Sequence, residues 1–239
     1  MLSAFLWGGA AAAALLVGYA LAGRGLSNRT IGIVMGIGAG ALISAIAYEL
    51  MPESVLEVAG TGAAMALGAI AFFVGDWLVD GRGGGDRKDI AGDQTGGSGA
   101  AIFVGTLLDN IPESIILGMS LALGGAINVA FLAAVFVSNL PEGVAGTVNL
   151  AAAGHSRRNI FWMWTILVLI SAASAALGYA LARWLPGVQG VYAQAFAAGA
   201  MLTMLADAMM PEAFQHGGKT VGLFTVLGFA MAAVLSSMG

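Results

Sequence analysis

A chain of 239 residues that is 59% hydrophobic and only 9% charged has the length of one soluble domain but not its composition. It reads as an integral membrane protein. With no cysteine, disulfides, thiolate metal sites and dithiol redox chemistry are excluded, so metal chemistry is expected to use oxygen or imidazole ligands. The formal net charge of −4 hides an asymmetry, because many acids lie inside apolar stretches while nearly every base lies between them.

Apolar stretches near the roughly 20 residues that cross a bilayer fall at 2–22, 31–52, 61–80, 100–123, 126–153, 160–183, 190–214 and 219–238. The prediction is an all-α integral membrane protein with eight transmembrane helices in a single transmembrane domain, 1–239. The first stretch ends in Ala20-Leu21-Ala22, a small-residue cleavage pattern, but it is long and no base precedes it. A membrane helix is therefore expected there and not a leader. Arg24, Arg29, Arg82, Arg87, Lys88, Arg157, Arg158 and Lys219 occupy the first, third, fifth and seventh connections, leaving Arg183 near the opposite side. By the positive-inside rule those connections are cytoplasmic and both termini lie outside, in a multi-pass protein of the cell's inner (plasma) membrane. The connection at about 81–99 mixes glycine with charge, a composition unable to bury a core, and is expected to be a flexible cytoplasmic loop. Abundant Gly and Ala predict a compact bundle and permit a homodimer.

Two apolar helices carry the same polar pattern, Asn110-Ile111-Pro112-Glu113 and Asn139-Leu140-Pro141-Glu142. Asp109 and Asn110 stand four and three residues before Glu113, on one helical face, and Ser138 and Asn139 stand likewise before Glu142. The short connection makes these helices antiparallel neighbours whose oxygen-bearing faces can converge. Pro112 and Pro141 cannot donate, which frees the carbonyls of Leu108 and Val137. Carboxylates facing each other at low dielectric repel unless a divalent cation lies between them. Ionisable side chains at such depth are functional by default. A second similarity relates Gly38–Glu53 (GAGALISAIAYELMPE) to Ala197–Glu212 (AAGAMLTMLADAMMPE). With the derived topology it predicts inverted repeats, helices 1–3 and 6–8, around helices 4 and 5, with a substrate site near the midplane.

On these residues the sequence resembles the Zrt/Irt-like (ZIP) family of divalent metal transporters, especially its short bacterial members. The resemblance implies a two-metal midplane site and inward movement of divalent metal. His is usual before Asn110 and at the matching position on helix five, where this chain has Asp109 and Ser138. The implied ligands are thus Asp109, Asn110, Glu113, Ser138, Asn139 and Glu142, an all-oxygen set that suits Mn²⁺, Fe²⁺ or Mg²⁺ at least as well as Zn²⁺. Helix six lacks the internal acid that many relatives contribute there, which weakens a second metal site.

Glu49 and Glu53, four apart at the outer end of helix two, are candidates for an acidic entrance. Asp207, Glu212 and His216 are candidates for exit ligands, and Asp76 and Asp80 either join them or snorkel to the interface. His155 beside Arg157 and Arg158 reads as solvated. Met201, Met204, Met209 and Met210 read as packing. Trp77, Trp162, Trp164 and Trp184 read as interfacial anchors. No phosphate-binding pattern or basic stripe points to nucleic acid. The expected function is transport of a divalent cation (Zn, Fe, Mn, Co or Cd) as substrate, with no organic cofactor. The rival readings are an intramembrane hydrolase using Asp109 with Asp207, and a non-transporting metal sensor.

Overall fold

The computed structural model describes residues 1–84, 99–124, 127–184 and 187–238, and every regular element among them is helical. Most of the loop expected at 81–99 lies outside the described residues. Seven helical stretches among the described residues are long and apolar enough to cross a membrane. They are α1 (Leu2–Ala22), α2 (Asn28–Leu50), α3 (Thr61–Gly83), α4 (Gly99–Gly124), α5 (Val129–Ala152), α6 (Arg157–Trp184) and a 48-residue run, Gly190–Ser237.

That last run is over twice the length of one crossing, and it folds back at Gly218. The backbone there takes φ 66° and ψ −165°, a region essentially reserved for glycine. Before the break lies α7 (Val188–Met204), continued by a π-turn, Leu205–Met209, and a short helix, Met210–Gly217; after it lies α8 (Val221–Ser237). Along α2, Gly32 rests on Ala213 and Gly217 and Gly38 on Met209, whereas Gly36 rests on Val221 and Gly40 on Thr225 and Phe229. The α7 limb therefore runs antiparallel to α2 and α8 runs parallel to it.

Helix starts follow side-chain caps and not the first apolar residue. The Ser27 hydroxyl accepts the Thr30 N–H at 3.1 Å, starting α2 at Asn28. The Asn128 side-chain oxygen accepts the Phe131 N–H at 2.8 Å, starting α5 three residues later than hydropathy alone suggests. Each cap satisfies an amide that no helical carbonyl can reach.

Four helix pairs are locked by reciprocal glycines, each against a carbonyl of its partner. Gly40 meets Thr225 and Gly228 meets Ile37 (α2/α8); Gly199 meets Met65 and Gly68 meets Phe196 (α3/α7). Gly118 meets Ala175 and Gly178 meets Ile115 (α4/α6); Gly18 meets Leu140 and Gly143 meets Leu15 (α1/α5). A Cβ at any of these would collide with backbone. In lipid, where apolar side chains gain nothing by meeting one another, such close backbone approach supplies dispersion and weak Cα–H···O contacts. Large apolar side chains are left facing outward instead, among them Leu67, Phe73 and Trp77 of α3 and Leu223 and Val226 of α8. A face of that kind suits lipid and not water.

The two similar segments also match locally. Each carries a π-turn at the same place, Ile46–Leu50 in one and Leu205–Met209 in the other, and their paired Gly40 and Gly199 both sit against a carbonyl. One expectation needs correction. Trp77, Trp162 and Trp184 are exposed near helix ends, but Trp164 is fully buried and its indole N–H donates to the Thr147 hydroxyl at 2.8 Å. Ile160, Trp164 and Leu167 share the inward face of α6, so Trp164 is a core residue with a satisfied donor.

Candidate functional site

Both proline-containing helices remain continuous, Pro112 inside α4 and Pro141 inside α5. Hydroxyl and amide side chains around the prolines bond back onto their own helix. Thr106 donates to the Ile102 carbonyl at 3.1 Å, Asn110 donates to the Thr106 carbonyl at 3.0 Å, and Ser138 donates to the Val135 carbonyl at 2.9 Å. These bonds fix which atoms are left over. The Ser138 oxygen keeps its lone pairs, and the Asn110 carbonyl oxygen and both amide atoms of Asn139 have no hydrogen-bond partner among the described residues. All are buried in a region where an unmade hydrogen bond costs on the order of 1–3 kcal/mol.

Glu113, Ser138 and Glu142 converge on one enclosed cavity, whose remaining wall is Met35 of α2 with Met204 and Met209 of the α7 limb. Its volume is about 10 Å³, the space of a single water-sized sphere. Glu113 is 2% exposed and Glu142 6%, although both lie midway along apolar helices. Asp109, Asn110 and Asn139 are buried beside them in sequence but do not line the cavity. Among the described residues no three His, Cys, Asp or Glu side chains are grouped to hold a metal. The donors that the cavity offers are two carboxylates, one hydroxyl and three thioethers. The all-oxygen ligand set implied by Asp109 and Ser138 at the usual histidine positions is thus represented in the cavity wall by Glu113, Ser138 and Glu142.

The peripheral candidates separate clearly. Glu49 lines a cavity of about 400 Å³ at the end of the bundle where α4 and α5 connect, together with Ser120, Asn128, Gln194 and Ser236, and accepts a hydrogen bond from Ser236. Glu53 is exposed on a one-turn helix, Glu53–Leu56, beyond Pro52. Glu212 and His216 pair with each other at 2.7 Å, one turn apart. Asp207 is exposed and borders a largely apolar cleft of about 580 Å³ between α3 and α7. Asp109 does not line that cleft, so the aspartate pair required by the hydrolase reading is not assembled there. Asp76 is 3% exposed, which rules out snorkelling to solvent.

Met204 and Met209, read from the sequence as packing, belong to the buried core and also wall the cavity. They stand five apart, Met204 just before the π-turn and Met209 its last residue, and the i→i+5 periodicity of the turn brings them onto one side. Asp207, between them, is turned to the other side. Spacing rules for an ordinary helix give no signal for this.

Architecture and site define an all-helical membrane protein with ionisable groups sealed midway along its helices. No family model matches the chain. An Arabidopsis thaliana protein named "Putative zinc transporter" is 26% identical over 207 residues, 82% of this chain and 32% of that protein. The chain thus spans about a third of the length of the curated relative that it matches.

Proposed function

We propose that this protein is a divalent metal transporter of the ZIP type, and not an enzyme, with Glu113 and Glu142 as the principal ligands of its substrate. The observation that carries the reading is the single-ion cavity between two carboxylates from neighbouring helices. A divalent ion between two buried carboxylates offsets their mutual repulsion. Ser138 completes that ligand set from the cavity wall, and Asp109, Asn110 and Asn139, buried on the same two helices, flank it without lining the cavity. The similarity to a zinc transporter supports the same class of substrate.

In this reading the chain crosses the plasma membrane eight times, with both termini outside and the basic connections in the cytoplasm. The cavity containing Glu49 is then the outer vestibule, and the Glu212–His216 end faces the cytoplasm. The antiparallel course of α2 and α7 and their matching π-turns support inverted repeats and alternating access, the central cavity opening to each side in turn. Reconstitution into liposomes tests the proposal. Time-dependent uptake of Zn²⁺, Fe²⁺, Mn²⁺, Co²⁺ or Cd²⁺, measured with and without a pH gradient, is expected. Binding without flux overturns it in favour of a metal sensor.

Glu49 is expected to concentrate cations at the vestibule and not to bind them during transfer. Glu49→Gln should raise the half-saturating metal concentration a few-fold while leaving the maximal rate unchanged, and the difference should shrink at high salt. Initial uptake rates across a concentration series check this.

A further inference from the structure

Where α1 ends and α6 begins, arginines and aromatic rings meet at one edge of the bundle. The Arg157 guanidinium lies over the Tyr19 ring, 5.5 Å from its centroid, and the Tyr19 hydroxyl donates to the Arg157 carbonyl at 3.2 Å. The guanidinium also rests on Gly23, where a Cβ would stand 3.1 Å from Nη2. Gly23 caps the C-terminal end of α1, a place where the helix dipole favours a cation. A long side chain that would otherwise sweep through solvent is thereby held in one place.

This pinned charge is not neutralised. Neither α1 nor α6 contains a carboxylate, and among the described residues Arg24, Arg157 and Arg158 form no ion pair. All three are exposed. Along α6, Phe161 stands one turn from Arg157 and Trp162 one turn from Arg158. Both rings are exposed and meet edge to face at 5.7 Å, and Phe161 also lies 5.9 Å from the Tyr19 ring. Fixed cations thus border a shelf of aromatic rings, side chains that prefer the level of the lipid headgroups.

We propose that this patch binds the headgroup of an anionic phospholipid. Arg157 is the principal phosphate ligand, Arg158 and Arg24 add charge, and Phe161 and Trp162 pack against the glycerol and the upper acyl chains. Charge complementarity carries the choice of occupant. A guanidinium pairs with phosphate through two parallel N–H···O bonds and keeps its charge at every physiological pH, and basic clusters at the ends of membrane helices bind acidic headgroups. A soluble phosphate shares the contact with Arg157 but brings no chains to the exposed rings.

Full-length protein in neutral detergent is mixed with phosphatidylglycerol, phosphatidylcholine or inorganic phosphate, and bound lipid is counted by native mass spectrometry. Phosphatidylglycerol is expected to bind at least about fivefold tighter than phosphatidylcholine, the contribution of one basic side chain at an anionic surface. Inorganic phosphate at the same concentration should not displace it. Arg157→Gln should remove most of the preference, whereas Arg183→Gln, the same loss of charge at the far end of the same helix, should leave it intact. Tyr19→Leu keeps every charge and should still weaken phosphatidylglycerol binding by about two- to fivefold, because Arg157 loses its platform. If that variant fails to fold, Arg157→Lys replaces it, since an ammonium keeps the charge but not the planar fork. Absence of preference in the wild type, displacement by inorganic phosphate, or equal losses in Arg157→Gln and Arg183→Gln overturns the proposal. An unchanged preference in the variant that keeps the charge also overturns it, leaving net charge alone as the cause.

Discussion

Liposomes carrying Glu113→Ala or Glu142→Ala protein take up no metal above protein-free background, while the purified variants remain helical and monodisperse. Each change removes one of the two carboxylates that line the cavity. Loss of an outer partner of a metal ligand already costs about 10–100-fold, so loss of a direct charged ligand should exceed the upper end of that range. Folding is expected to persist because the helix pairs are held by the close glycine–backbone contacts, none of which involves Glu113 or Glu142. Glu113→Gln and Glu142→Gln sharpen the result, since they keep shape and one oxygen but lose the charge. Uptake as slow in these as in the Ala variants assigns the effect to charge. Wild-type rates in both Glu113→Ala and Glu142→Ala would remove the basis of the transport reading.

The second large effect is on assembly. Gly40→Leu and Gly199→Leu should each prevent recovery of folded protein or lower its thermal midpoint sharply in detergent, because the added Cβ collides with the carbonyl of Thr225 or Met65. Overpacking typically costs about 1–3 kcal/mol where side chains can shift, and here the obstacle is backbone. Gly62→Ala is the control, since a Cβ at that position meets nothing within 4 Å. Its stability should be unchanged or slightly raised, by about 0.4–1 kcal/mol, through the lost freedom of the unfolded chain. Tryptophan fluorescence during a thermal ramp distinguishes the three proteins.

The carboxylates of the cavity were legible in the sequence because Glu113 and Glu142 interrupt apolar stretches, a contrast that needs no knowledge of packing. Their convergence with Ser138 was also accessible, since a short connection forces α4 and α5 to be neighbours. The methionine half of the wall was not. Met35 is distant in sequence and meets the site only through the helix crossings that glycine permits, and Met204 with Met209 share a side only through a π-turn. The same turn sends Asp207 outward, although its position in an apolar helix marks it as an equally good candidate. Start points such as Val129 depended on Asn128, a cap that hydropathy ignores. Glycine content announced close packing, but which carbonyl each glycine meets is a property of the assembled bundle.

The reciprocal glycine contacts also dictate which parts can slide. Two of the pairs, α1/α5 and α4/α6, are bridged by Gly8 of α1 against Ala175 of α6; the other two, α2/α8 and α3/α7, are bridged by Gly32 against Gly217. The bundle thereby groups into two sets of helices that also pack on each other where α2 meets α5, and the cavity lies between the sets. Glu113, Ser138 and Glu142 ride on one set and the three methionines on the other. Gly38 against the backbone of Ser138 is a close contact between the sets, beside the cavity itself. On the proposed transport reading, a shift of one set against the other separates the oxygen and sulfur sides of the wall, so hold on an ion and the relative position of the two sets would change together.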